Sequence, residues 1–344
     1  MMTVCLKDIL KGISLSNIPY NWNSFDIKSF SKDKILWDFQ QKAVESALKV
    51  LWKYYEDFND FKSGETIDVN QDRKESFFRW YKDNELESDL DIKLDRRSRK
   101  INELLTEYFP QEDGKVSYSN YINRMCFWMA TGSGKTIVII KLIQILKQLM
   151  ERGEIPEYDI LFLTHRDDLI EQFRKMIDEV NYANVNKLEL RELKDYPEVK
   201  RQGALFGTPV FYYKSLNIVD EQGKLRIDFR NYDNDGKWYI FLDEAHKGNK
   251  EASKSQHIYS ILSRNGFLFN SSATFIEKRD RITSAFEFNL ASFIQAGYGK
   301  HISILKQEIR AFRQDEDYSD EEKQKIVLKS LILLTYTGIP PLIF

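Results

Sequence analysis

Cysteine is nearly absent. Cys5 and Cys126 are the only two in 344 residues, they lie far apart, and Cys126 sits inside an apolar stretch. That usage argues against a disulfide framework and against a zinc site. Net charge is nearly absent too: 51 basic side chains face 53 acidic ones, a formal charge of -2. No overall field therefore draws in nucleic acid, and any such contact must be local. Long apolar runs are also missing. The greasiest segments are broken by Lys141, Gln144 and Lys147, and Met1 to Gly12 has no sustained apolar core followed by a cleavage site. The sequence thus predicts neither a membrane span nor a signal peptide, and the cytoplasm is the expected location. No internal repeat or low-complexity tract is present. What the chain does have is aromatic residues, 14% of the total, and length enough for a buried core in one large domain or two small ones.

One stretch organises the rest. Met125 to Met129 reads as a short apolar strand, Ala130-Thr131-Gly132-Ser133-Gly134 as a glycine-bearing loop, and Lys135-Thr136 as the first turn of a helix running on through Ile143. This is the order a phosphate-binding loop requires, and it is more than a glycine-rich connection because strand and helix stand in the right places. Gly132 and Gly134 let the backbone turn with no Cβ in the way, so that successive N–H groups from Thr131 to Thr136 can face phosphate oxygens. The helix start adds the positive end of its dipole. Lys135 is expected as a solvent-facing ligand of the β- and γ-phosphates, and the Thr136 hydroxyl as a ligand of Mg²⁺.

Around this stretch the pattern alternates. Residues 1–34 are mixed polar and aromatic and show no period. Phe39 to Leu51 carries apolar residues at helical spacing, with Asp38 as the expected N-cap and Gln40 near the start. Gln40 is read two ways: as a solvated surface residue, or as an amide that pairs with the adenine edge through its adjacent donor and acceptor. Residues 54–119 are crowded with charge and predict a helical insertion outside the sheet. Its basic cluster, Arg96-Arg97-Ser98-Arg99-Lys100, is a solvated face or a contact for DNA phosphates. Then come strands at Tyr158 to Thr164, Thr208 to Lys214, Lys237 to Leu242 and, last, Gly266 to Asn270, with a helix over 165–180; 188–198 is ambiguous. Strands alternating with helices predict an α/β fold, a parallel sheet covered on both faces, with ligands at the carboxyl ends of the strands.

The run Lys237 to Leu242 leads straight into Asp243-Glu244-Ala245-His246. Alone, an acidic pair after a strand is often only a helix start. After a phosphate loop it is the complement the chemistry needs: Asp243 to hold Mg²⁺, and Glu244 to take the proton from an attacking water. Lys135 and Glu244 are the expected catalytic pair.

These residues resemble superfamily 2 helicases and translocases of the DEAD/DEAH type, whose nucleotide domain is a RecA-like P-loop fold. Met129 to Thr136 looks like their first motif, Asp243 to His246 their second and Ser272-Ala273-Thr274 their third. Phe39-Gln40 resembles the upstream glutamine motif. Thr164-His165-Arg166 and Phe211 to Leu216 resemble motifs that contact the nucleic-acid backbone. The resemblance implies ATP and Mg²⁺ as cofactors, with Gln40 and Thr131 to Thr136 on the nucleotide. It implies coupling roles for His246, Ser272 and Thr274, and nucleic-acid contacts from Thr164, Arg166, Lys214 and Ser215. Within the superfamily, the wording of residues 129–136, and Phe286 to Leu290 followed by Gly297 to Lys300, resemble the restriction (Res) subunit of type III restriction enzymes. That implies double-stranded DNA and a methyltransferase (modification) subunit as partners.

The expected organisation is an extension (1–34), a glutamine-motif helix (35–53), the insertion (54–119), the RecA-like domain (120–300), and a linker leading into a missing second domain (301–344). Fewer than about a hundred residues follow Thr274, too few for another α/β domain of usual size. The capping box Ser319-Asp320-Glu321-Glu322 predicts one more helix. No arginine-rich sixth motif or nuclease signature is visible, and Arg166 and Arg201 are not placed to act as an arginine finger. Two functions are therefore expected: the motor domain of an ATP-dependent DNA translocase or helicase in a type III restriction-like or defence system, or a truncated nucleotide-binding module with no significant turnover. The Asp-Glu-Ala-His and Ser-Ala-Thr stretches argue against a small-molecule kinase.

Overall fold

Apolar runs without alternation belong in strands buried on both faces, and the computed structural model places them so. It describes residues 4–86, 89–94, 98–202, 208–219, 226–243, 249–275 and 277–298. In chain order the main elements are α1 (Asp38–Trp52), α2 (Ile67–Asp83), α3 (Arg99–Tyr108), β1 (Arg124–Met129), α4 (Lys135–Glu151), β2 (Asp159–Thr164), α5 (Asp167–Ala183), β3 (Leu190–Glu192), β4 (Val210–Lys214), β5 (Trp238–Asp243), α6 (Asn249–Leu262), β6 (Phe267–Ser272), α7 (Lys278–Ile282), β7 (Ser284–Phe288) and α8 (Leu290–Gln295). Two compact units are distinguished, Met1–Ala296 and Gly297–Phe344. Of the second, only Gly297 and Tyr298 are described, so the helix expected after Ser319 lies outside the described residues.

The seven strands form one sheet in the order β7-β1-β6-β5-β2-β4-β3, and every pairing is parallel. Every residue of β2, β5 and β6 is buried. This is the expected α/β, RecA-like sheet flanked by helices. Parallel pairing brings all carboxyl ends to one edge, where Ser272 neighbours Trp128, Ser271 neighbours Asp243 and Thr164 neighbours Lys214.

Several expectations change. Gly266 to Asn270 is not the last strand: β7 follows and flanks β1 on the far side, with a register shift between Ser284 and Phe286. As an edge strand with only its first residues buried, it lacks the unbroken apolar run that marked the others. The ambiguous 188–198 holds β3 at the opposite edge, three residues with none fully buried, and then the start of a helix over Tyr196–Gln202. Asp38 is the first residue of α1; the cap is Trp37, whose N–H donates to Gln40 Oε1 at 2.9 Å. The unassigned N-terminus supplies short helices at Leu6–Leu10 and Tyr20–Asn23, which bury Leu6, Leu10 and Trp22 in the core. Lys7 pairs there with Glu287 of β7.

The described residues of 54–119 contribute no strand to the seven-stranded sheet. They carry α2, α3 and a two-stranded ribbon, Ile92–Lys93 with Lys115–Val116. Several of their aromatics are core: Tyr54, Tyr55, Phe77, Tyr81 and Tyr118 are fully buried. The Tyr54 ring lies edge-on, 5.6 Å from Phe267 of β6. In the basic cluster Arg99 pairs with Glu103 on its own helix, which favours the solvated reading for that residue; Arg96 and Arg97 lie outside the described residues. Cys126 is inert core, its thiol pushed well up by burial and then by Asp280. No helix among the described residues is long and apolar enough to cross a membrane.

The 54–119 segment also buries an amine. Lys74 of α2 donates Nζ to the Asn120 carbonyl at 3.0 Å, and burial, aided by the charge of Arg264, pushes its pKa down from 10.5 to about 7. Between those values the unfolded chain holds a proton that the folded chain does not, so stability rises with pH across the window. Below about pH 7 the burial penalty is present in full, and above 10.5 it is gone. Lys74→Met is therefore expected to be more stable than wild type at neutral pH. Its advantage should shrink by up to about 1.4 kcal/mol per pH unit within the window. Denaturant titrations at several pH values measure this, and an advantage that stays constant with pH would show that Lys74 is not its source.

Candidate functional site

The loop between β1 and α4 has the backbone its glycines call for. Gly132 and Gly134 sit at φ +80° and +79°, left-handed conformations that L side chains avoid. Gly134 is the N-cap of α4. The Ser133 N–H closes the turn onto the Ala130 carbonyl at 3.2 Å. The amides of Thr131, Gly132 and Gly134 meet no acceptor among the described residues. The Ser133 hydroxyl is buried with no partner. A cluster of donors at the start of a 17-residue helix, without protein acceptors, suits a bound phosphate chain.

Lys135 departs from expectation: it is buried rather than solvent-facing, with Nζ turned back to the Ala130 carbonyl at 3.4 Å. That contact folds the side chain back onto the loop that precedes it. Thr136, beside it, is also buried.

Asp243 ends β5, buried, two strands from the loop; two inter-strand spacings are about 10 Å. Between them runs β6, whose polar end is Asn270, Ser271 and Ser272. The Thr274 N–H donates to Ser272 Oγ at 3.1 Å, and that hydroxyl donates to the Thr274 carbonyl at 2.7 Å. Ser272 and Thr274 therefore form one tight turn. Trp128 Nε1, on the loop's own strand, donates to the Ala273 carbonyl of that turn at 2.9 Å. This link was not foreseen, because an indole in an apolar run carries no signal beyond core packing. Thr136 and Asp243 offer the hard oxygen ligands Mg²⁺ prefers, and Mg²⁺ characteristically takes only one or two protein carboxylates. Glu244 and His246 lie outside the described residues.

Gln40 lies inside the fold. It is 3% exposed, so it is not a solvated surface residue. Its Nε2 donates to the Ser133 carbonyl at 2.8 Å while Oε1 accepts from Trp37. The glutamine thus meets the phosphate loop itself.

The four residues expected on nucleic acid divide into two pairs. Arg166, the N-cap of α5, is exposed and forks onto Asp168, 2.7 Å from Nε to Oδ1. Lys214, at the end of β4, pairs with Asp167 at 2.6 Å. Thr164 is fully buried, its hydroxyl without a partner. Ser215 is buried and its carbonyl accepts from Tyr259 at 2.8 Å. Of the four, the two cations are the ones presented at this edge. Arg201 is bonded within its own helix, to the Pro197 carbonyl.

Comparison with known proteins agrees with this geometry. Residues 95–277 match the family described as type III restriction enzyme, res subunit. Among solved structures the chain is similar to the UvsW helicase from bacteriophage T4, at 12% identity over 62% of this chain and 77% of that one, with a TM-score of 0.33. No curated protein matches. With a family match over more than half of its 344 residues, a parallel α/β sheet and a glycine loop ahead of a buried Asp243, the chain belongs to the type III restriction enzyme res subunit family and so to the helicase-like superfamily 2 motors.

Proposed function

We propose that this chain is the ATP-binding motor domain of a DNA translocase or helicase. It would work in a cytoplasmic type III restriction-like or defence system, with double-stranded DNA and a methyltransferase subunit as partners. The observation that carries the reading is the loop at residues 130–136: backbone donors without acceptors among the described residues, beside a buried lysine and threonine, on the same sheet edge as Asp243.

Lys135 and the loop amides would hold the phosphates of ATP, with Thr136 and Asp243 holding Mg²⁺. The metal, when bound, draws charge from the phosphate oxygens. Glu244 follows Asp243 directly and would take the proton from the attacking water. The Trp128–Ala273 hydrogen bond ties the loop's strand to the Ser272–Thr274 turn, a route by which a shift of the loop would reach the coupling motif. At the other end of this edge Arg166 and Lys214 hold carboxylates of α5's first turn. Exposed pairs of this kind are worth about 0–1 kcal/mol, so a DNA phosphate can replace the carboxylate at little cost.

Lys135→Ala is expected to abolish binding of a fluorescent ATP analogue while the variant still folds, as circular dichroism and a cooperative melt would show. Glu244→Gln should keep that binding while hydrolysis falls by about 10²-fold or more. Equal nucleotide affinity in wild type and Lys135→Ala would remove the basis of the reading.

For DNA, the double variant Arg166→Ala, Lys214→Ala should weaken duplex binding irrespective of sequence and reduce the salt slope by about two. An unchanged slope would put the DNA on another face.

A further inference from the structure

We propose that the face of β1 turned toward α6 and α7 holds a binding site for a small inorganic oxyanion such as phosphate, formed by Arg124, Arg279 and His257. This site is separate from the phosphate loop, and it does not depend on the nucleotide-binding reading of that loop.

One buried charge here lacks a counter-charge. Arg73 and Arg124 are both fully buried. Arg73 is compensated: it grips Glu65 through both Nη atoms and the Asn59 carbonyl through Nε, which is what a guanidinium taken out of water needs. Arg124 makes neutral bonds only. Its Nε donates to the Tyr121 carbonyl at 3.0 Å and its Nη2 to Ser260 Oγ of α6 at 2.6 Å, and it has no carboxylate partner among the described residues.

A second guanidinium lies close by. Arg279 of α7 has its Cζ 5.0 Å from the centroid of the Tyr121 ring, and Arg124 has its Cζ 5.3 Å from the same centroid. Arg279 also forms no ion pair among the described residues, and its Nε is buried with no partner. One ring face offsets part of two positive charges and leaves the rest. Asp280, next to Arg279, is buried too, but its Oδ1 lies 3.4 Å from Asn270 Nδ2 and 3.6 Å from Cys126 Sγ and pairs with neither arginine.

The third group points to a ligand independently. His257 of α6 is 7% exposed, and its Nδ1 is buried with no partner. Ser260, which Arg124 holds, lies three residues further on, along the same helix face. Burial, then Arg279, then Arg124 push the His257 pKa down to about 3, so the ring is neutral at pH 7 and keeps one N–H to donate. Two guanidiniums and an imidazole with unused donors match the oxygens of a tetrahedral anion. Depth selects the source: Arg124 and His257 lie inside the fold and only Arg279 is half-buried, which suits a free ion and leaves no room for the sugar-phosphate backbone of DNA.

Calorimetric titration of the full chain with phosphate, at constant ionic strength in chloride, tests the site. Lys135→Ala serves as the parent, because the phosphate loop would take the same ion. Phosphate should bind this parent, and adding Arg279→Gln should weaken the binding about tenfold or more. Hydrogen exchange needs no second substitution and stands if that variant does not fold: phosphate should slow the amides of residues 257–263 and 279–284 in the parent. No phosphate binding by the parent would overturn the proposal, as would equal affinity with and without Arg279, or protection confined to residues 130–136. Duplex DNA should leave the phosphate affinity unchanged, and competition by DNA would overturn the assignment to a small ion. If wild type fails to bind ATP, the proposed function falls, and the phosphate titration still decides this site.

Discussion

The structure depends on the parallel register of β1, β6 and β5. Because these strands run the same way, the glycine loop leaving β1, the Ser272–Thr274 turn leaving β6 and Asp243 ending β5 arrive at one edge of the sheet. A single antiparallel strand among the three would send its residues to the opposite end. Packing enforces the arrangement: β5 and β6 are buried along their whole length, and Phe241 stacks on Phe269 between them at 4.4 Å. A one-residue slip would turn every one of these side chains to the other face.

Onto that edge the chain builds two kinds of restraint. Backbone conformation shapes the loop, through two left-handed glycines and a helix start. Side chains from elsewhere then hold it: Gln40 from α1 on the Ser133 carbonyl, and Trp128 from β1 on the Ala273 carbonyl. Both reach main-chain oxygens, so both restrain peptide planes directly. The charged groups at the far end are held differently, by exposed pairs with Asp167 and Asp168 that polyanion binding can exchange. In the proposed function such a site would combine a braced phosphate end with an exchangeable cationic end, as a motor that grips nucleotide and releases DNA in turn would require.

Much of this was legible in the residues because strong local chemistry declares itself. Gly132, Gly134 and Lys135 mark a loop, and unbroken apolar runs mark buried parallel strands. What was hidden depends on distant partners. Gln40 looked like a surface residue or a base reader because nothing in its own helix reveals Ser133, 93 residues away. Lys135 was taken to face solvent because a lone lysine at a helix start gives no hint that it folds back over its loop. The edge strands β3 and β7 were missed because edge strands are short and only partly buried. Charge crowds the aromatics of 54–119, yet Tyr54 and Phe77 are as deeply buried as any residue of the sheet.

The central claim is that the residue 130–136 loop and Asp243 form one metal–nucleotide site. Electron paramagnetic resonance with Mn²⁺ in place of Mg²⁺ tests it most directly, by measuring bound Mn²⁺ with and without ATP in wild type and in Asp243→Asn. The account predicts tight Mn²⁺ binding by wild type only when ATP is present, and loss of that binding in Asp243→Asn. Undiminished ATP-dependent Mn²⁺ binding by the variant would contradict it.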